Sequence, residues 1–176
     1  MVKQQLESME ANLARLSLLM PELPKNEILM VRLVLFLAHD LGMVLEQVLR
    51  PFGLGEGEFR VLTALFSQPQ STAHPGDLCA RALQKPANMS RITDALVKRD
   101  LITRVPSAQD RRKLVLRITK KGAALVHRAL PAVFACVRQL CGKTSVKDQE
   151  RMIAELRDML IRLNEMTESM TSGQHR

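Results

Sequence analysis

Aromatic residues are almost missing from this chain: tryptophan and tyrosine do not occur, and phenylalanine occurs five times in 176 residues. A binder of single-stranded nucleic acid stacks bases on aromatic faces, so that class is poorly served. Cysteine is scarce too. The three, Cys79, Cys136 and Cys141, are odd in number and contain no Cys-x-x-Cys pair, which argues against a disulfide framework or a zinc site. None of the four histidines, His39, His74, His127 and His175, sits in a nucleophile elbow, a phosphate loop or a zinc-protease motif, so no enzyme, metal or cofactor is expected.

Also lacking are a leader with basic, apolar and cleavage regions and an unbroken run of the ~20 apolar residues that cross a membrane. The most apolar stretch, ILMVRLVLFLA, is interrupted by Arg32 and soon followed by His39 and Asp40. A cytoplasmic protein without a membrane segment is expected.

What the chain does have is charge, in one place. The formal net charge is +8, from 26 Lys and Arg against 18 Asp and Glu. Residues 81 to 121 hold 12 of those cations and only three acids, Asp94, Asp100 and Asp110, while the remainder is close to neutral. A basic segment in a neutral chain suits a polyanion, and steep loss of binding with salt would separate a duplex binder from a pure assembly protein. With 46% hydrophobic residues the composition is globular, and the length suits one domain or one subunit of an assembly.

Apolar periodicity organises the chain. Leu6, Met9, Leu13, Leu16 and Met20 step at helical spacing through a helical extension, residues 1–24, closed by PELP. From Asn26, a good N-cap, a helix that is apolar on almost every side runs to Pro51, and a second copy of the chain is its expected cover. A short helix with Phe59, Leu62, Leu65 and Phe66 follows, then a loop over SQPQSTAHPG. DLCARAL and PANMSRITDALVKR read as two short helices about a turn, the second opened by Pro86 and turned inward at Met89, Ile92, Leu96 and Ala95. LITRV and KLVLRI alternate as strands of a hairpin. A helix with an expected bend at Pro131 comes next, and a last helix starts at Thr144 or Ser145, with Asp148 in capping-box position.

Helix, turn, helix and a two-stranded wing make a winged helix, so the expected fold is mainly α with a small β-hairpin. The second helix of such a pair enters the major groove. Its exposed positions are Ala87, Asn88, Ser90 and Arg91; asparagine matches adenine and arginine guanine, so Asn88 and Arg91 are the candidate base readers. Lys98, Arg99 and Arg104 are candidates for phosphate. At the hairpin tip, Asp110-Arg111-Arg112-Lys113 is more cationic than a solubilising turn requires. A guanidinium suits the negative minor groove, and a carboxylate two residues earlier limits the freedom it loses on insertion: Asp110 orients, Arg112 probes.

The stretch NMSRITDALVKRDLITRVPSAQDRRKLVLRITKKG resembles the core of the MarR family of bacterial transcription regulators, and NEILMVRLVLFLAHDL with the two closing helices resembles its EmrR-like branch. The resemblance covers about residues 21–166. It implies a homodimer in which residues 25–50 and 119–170 supply dimerisation helices around a DNA-binding lobe at 51–118, followed by a tail at 171–176. It also implies a repressor that sits on a pseudo-palindromic duplex operator and leaves it when a small aromatic carboxylate or phenolic effector binds. Arg32, Phe36, His39, Met43, Phe59 and Arg60 are the candidate ligand residues, a cation for the carboxylate and apolar surface for the ring. Asp100 stands where the family commonly has glycine, and Ile118-Thr119 where it has Leu-Thr. Two alternatives stay open: redox sensing through a cysteine, and a dimeric interaction protein without ligand control.

Overall fold

A computed structural model of the chain describes residues 2–107 and 114–173. Close contacts group the chain into two units, Met1–Val133 and Phe134–Arg176. The first begins with α1 (Val2–Leu19) and α2 (Lys25–Leu49). It continues through α3 (Glu56–Phe66), β1 (Thr72–Ala73), α4 (Pro75–Arg81), α5 (Pro86–Lys98), β2 (Ile102–Pro106), β3 (Leu114–Ile118) and the start of α6 (Lys120–Cys141). The second holds the end of α6 and α7 (Val146–Gly173).

The core of the first unit follows from helical spacing. Val61, Leu62 and Leu65 of α3 and Met89, Ile92 and Leu96 of α5 are buried together with Leu78 of α4, Leu116 of β3 and Val126 of α6. Removing each such side chain from water contributes about 1.5–3 kcal/mol. Ala95 is half-buried; Thr93 takes the inward position instead, its hydroxyl donating to the Ser90 carbonyl at 3.0 Å. α2 starts at Lys25 behind Pro24, one residue ahead of the expected cap at Asn26, and no side chain caps it.

The wing has three strands rather than two. β3 lies in the middle, antiparallel to β2 through Ile102↔Ile118 and Arg104↔Leu116, and to β1 through Thr72↔Arg117. β1 falls inside the stretch expected to be a loop.

Three chain reversals use one device. At Gly53, Leu83 and Asp100 the backbone turns left-handed, with φ of 64°, 52° and 58°. After Leu83 the Gln84 N–H donates to Cys79 O at 2.8 Å, and after Asp100 the Leu101 N–H donates to Leu96 O at 3.0 Å. These are the long-range bonds of a Schellman cap. Asp100 therefore makes the turn for which a glycine is usual, as expected of a residue that tolerates this region.

α6 is fastened to the end of α5. Thr119 accepts the Gly122 N–H at 3.0 Å as an N-cap, and its hydroxyl donates to Asp100 O at 2.8 Å. Gly122 lets the helix lie against the Leu101 carbonyl, where an added Cβ would come within 2.2 Å of the oxygen. The Thr-x-x-Gly spacing thus combines a cap with a close approach. In the second unit Ser145 caps α7, accepting the Asp148 N–H at 3.2 Å and donating to its carboxylate at 2.7 Å.

Several helices keep apolar surface exposed, α2 and α7 most extensively. α2 buries only Leu49 and exposes Met30, Val31, Leu33, Val34, Leu35, Leu37, Met43 and Val44. α7 buries none of its residues and exposes Ile153, Leu156, Leu160, Leu163 and Met166. By length and composition alone, Lys25–Phe52 and α6 are long and apolar enough to cross a membrane, which counting unbroken apolar runs did not anticipate.

Candidate nucleic-acid interface

α4 and α5 form a helix-turn-helix. Pro75 and Pro86 occupy first-turn positions, where the absent N–H is not needed, and the turn between the helices is the Leu83 reversal. Leu78 and Ala82 on one side and Met89, Ile92 and Leu96 on the other fix the pair on α3. The opposite face of α5 is left to solvent: Ala87, Ser90, Arg91 and Lys98 are exposed, and Asn88 is half-buried.

The side chains of that face are not independent. Arg91 donates through Nε and Nη2 to Asn88 Oδ1, at 3.2 and 2.9 Å, and Asn88 Nδ2 donates to Gln84 Oε1. Arg104 of β2 is exposed and held by Asp94 of α5, so wing and helix present this cation together.

Arg99 differs from its neighbours. Its Nη1 donates to both carboxylate oxygens of Glu58, at 3.1 and 3.0 Å, and its Nη2 donates to Gly53 O at 2.7 Å. Glu58 in turn accepts the Gly55 N–H at 3.1 Å, closing the start of α3. In the free protein the guanidinium expected to touch phosphate thus brackets α3 to the end of α5. Replacing Arg99 with alanine should lower stability by about 1–2 kcal/mol and leave the salt dependence of DNA binding unchanged, whereas Lys98→Ala should reduce that slope by about 1. Urea unfolding and a salt titration of binding separate the two.

Asp110, Arg111, Arg112 and Lys113 lie outside the described residues. The six ligand candidates are not gathered in one pocket among the described residues. Arg32 lines a depression with Gln4, Met9 and Asn12 of α1, and Arg60 lines another with Thr63, Gln68 and Arg81. Arg60 is paired with Glu56 one turn earlier, and Phe59 packs on the core. Phe36 is half-buried; His39 and Met43 are exposed.

Sequence reading missed Gln84, Asp94 and Glu58 as partners of the basic side chains. Glu58, at the third position of α3, carries a capping signal that was there to be read. It also missed Arg81 and Arg117, which have no ion-pair partner among the described residues and line one cavity with His74.

A helix-turn-helix whose second helix exposes a fixed arginine beside a β wing defines a winged-helix DNA-binding protein. The MarR family model matches residues 52–113. Over 145 residues, 82% of each chain, the sequence is 32% identical to the transcriptional repressor MprA of Escherichia coli (strain K12). The fold is similar to that of MepR from S. aureus in its DNA complex, with a TM-score of 0.69 and 23% identity over 74% of this chain and 94% of that one. It is also similar to BpsR of Bordetella bronchiseptica, a protein whose DNA binding is regulated by 6-hydroxynicotinic acid, with a TM-score of 0.65 and 22% identity over 73% and 90%. The chain belongs to the MarR family and is a DNA-binding transcription regulator.

Proposed function

We propose that the protein is a homodimeric repressor that binds a pseudo-palindromic operator in the cytoplasm and is released from it by a small aromatic carboxylate or phenol. The observation that carries this reading is the exposed face of α5, where Asn88 holds Arg91 and Asp94 holds Arg104 of the wing while the opposite face is locked into the core. Two such helices related by a two-fold axis meet two half-sites one helical turn apart, which makes the operator a near palindrome. Arg91 reads a base edge. Lys98, Arg104, Arg111 and Lys113 face phosphate, and Arg112, oriented by Asp110, enters the minor groove.

A second copy, not a bilayer, covers α2 and α7. MprA is named as a repressor and 6-hydroxynicotinic acid, which regulates BpsR, is an aromatic acid; both favour the same assignment here. Release requires an effector that binds more tightly when the two lobes no longer match successive major grooves. Arg32 supplies the cation for it.

Fluorescence anisotropy on the duplex upstream of the protein's own gene tests this reading, with wild type beside Arg112→Ala and a panel of aromatic acids. Binding should weaken steeply with salt, Arg112→Ala should bind at least tenfold less tightly, and one acid should abolish binding. Affinity no better than for random duplex, with no response to Arg112→Ala, would remove the operator reading.

A further inference from the structure

We infer that Asn88 is a positioning residue rather than a base reader, and that it aims Arg91 at a single guanine; the inference rests on the DNA-binding reading above. Asparagine reads adenine by offering its oxygen and its NH2 group together. Here both ends are engaged. The oxygen accepts two bonds from Arg91, and the NH2 group donates to Gln84 Oε1. Gln84 in turn donates to Ala82 O at 3.3 Å, and its backbone is fixed by the Schellman bond to Cys79.

The result is a polar chain that runs in one direction, from the Ala82 carbonyl through Gln84 and Asn88 to Arg91. Each amide donates backward and accepts from the next residue, so no member has to compete for a proton. Asn88 and Arg91, three residues apart, share one face of α5, and Gln84 reaches Asn88 from the turn just ahead of that helix. Gln84 and Asn88 are half-buried and Arg91 is exposed, so the chain is anchored at its covered end and open at its tip.

The geometry at the tip selects the base. Asn88 takes the Nε and Nη2 edge of the guanidinium, leaving Nη1 and the second N–H of Nη2. That free end presents two parallel donors, the pattern that matches O6 and N7 of guanine. Arginine has more rotamer freedom to lose than most residues, and a prebuilt bond to Asn88 removes part of that loss before DNA arrives.

Selection from random duplex, followed by affinity measurement at each consensus position, tests the inference with wild type, Arg91→Ala, Asn88→Ala and Asn88→Asp, each checked for folding by thermal melting. Arg91→Ala should reduce the preference for one guanine roughly 5- to 150-fold, the range for one bidentate base contact. Asn88→Ala should weaken the preference at that same guanine and leave every adenine preference intact. Asn88→Asp keeps the oxygen that holds Arg91, so the guanine preference should survive even as overall affinity falls from the added negative charge. An adenine preference lost in both Asn88 variants and kept in Arg91→Ala would overturn the inference while leaving the DNA-binding reading in place. An unchanged profile in Asn88→Ala would do the same. A wild type that selects no consensus above random would remove the DNA-binding reading, and this inference with it.

Discussion

Alanine at Gly122 should destabilise the protein by about 3 kcal/mol, the upper end of what overpacking usually costs. Its Cβ would lie 2.2 Å from the Leu101 oxygen and 2.8 Å from Ile118 Cγ1. The oxygen cannot withdraw, because the Thr119 N–H donates to it at 3.0 Å and Leu101 is itself buried. The strain therefore has to move the start of α6 away from the junction of α5 and β2. Alanine is a better helix former than glycine by about 1 kcal/mol, so at an unobstructed site the same change would stabilise. The sign of the shift in the urea midpoint decides between the two cases. Both proteins must be compared at equal concentration, since the proposed assembly makes apparent stability depend on it.

Elements with a readable period were legible in the sequence. The alternation of LITRV and KLVLRI gave β2 and β3, and the three- and four-residue steps of Met89, Ile92 and Leu96 gave the inward face of α5. Ser145 with Asp148 marked the start of α7 because a cap is a local bond. β1 was not legible, since two residues have no period and Thr72–Ala73 form a strand only because β3 has an open edge beside them. The turn at Leu83 was hidden for another reason: leucine is an unusual residue at positive φ, so nothing in its chemistry announces a left-handed reversal.

The candidate site divides along the same line. That α5 exposes Arg91 follows from helical phase, which the sequence carries. What each cation touches does not. Arg99 and Lys98 are adjacent, yet Arg99 meets Glu58, 41 residues away in the chain, and Lys98 faces solvent. The residue type of Asn88 fits adenine, but its neighbours at four residues before and three after engage both ends of the amide. Residue type fixes what a side chain can bind; the partners already within reach decide what it is free to bind.

Glutamate in place of Leu160 should separate the proposed dimer and reduce operator affinity by two orders of magnitude or more. Leu160 is 67% exposed, and Ile153, Leu156, Leu163 and Met166 beside it on α7 are also left to solvent. No residue of this 28-residue helix is buried, so its apolar stripe stays open to solvent in the single chain. In a two-fold interface one substitution occurs twice, and each buried carboxylate without a partner costs several kcal/mol. A monomer then holds one half-site and forfeits the effective concentration that ties the second lobe to the second half-site, an advantage of about 10²–10⁴. Sedimentation should show the mass halved, and anisotropy should show the affinity loss with the base preference at each half-site retained. An unchanged mass and affinity would mean that the α7 stripe is not the dimer face. Wild-type protein that floats with lipid vesicles would instead make a bilayer the cover for α2.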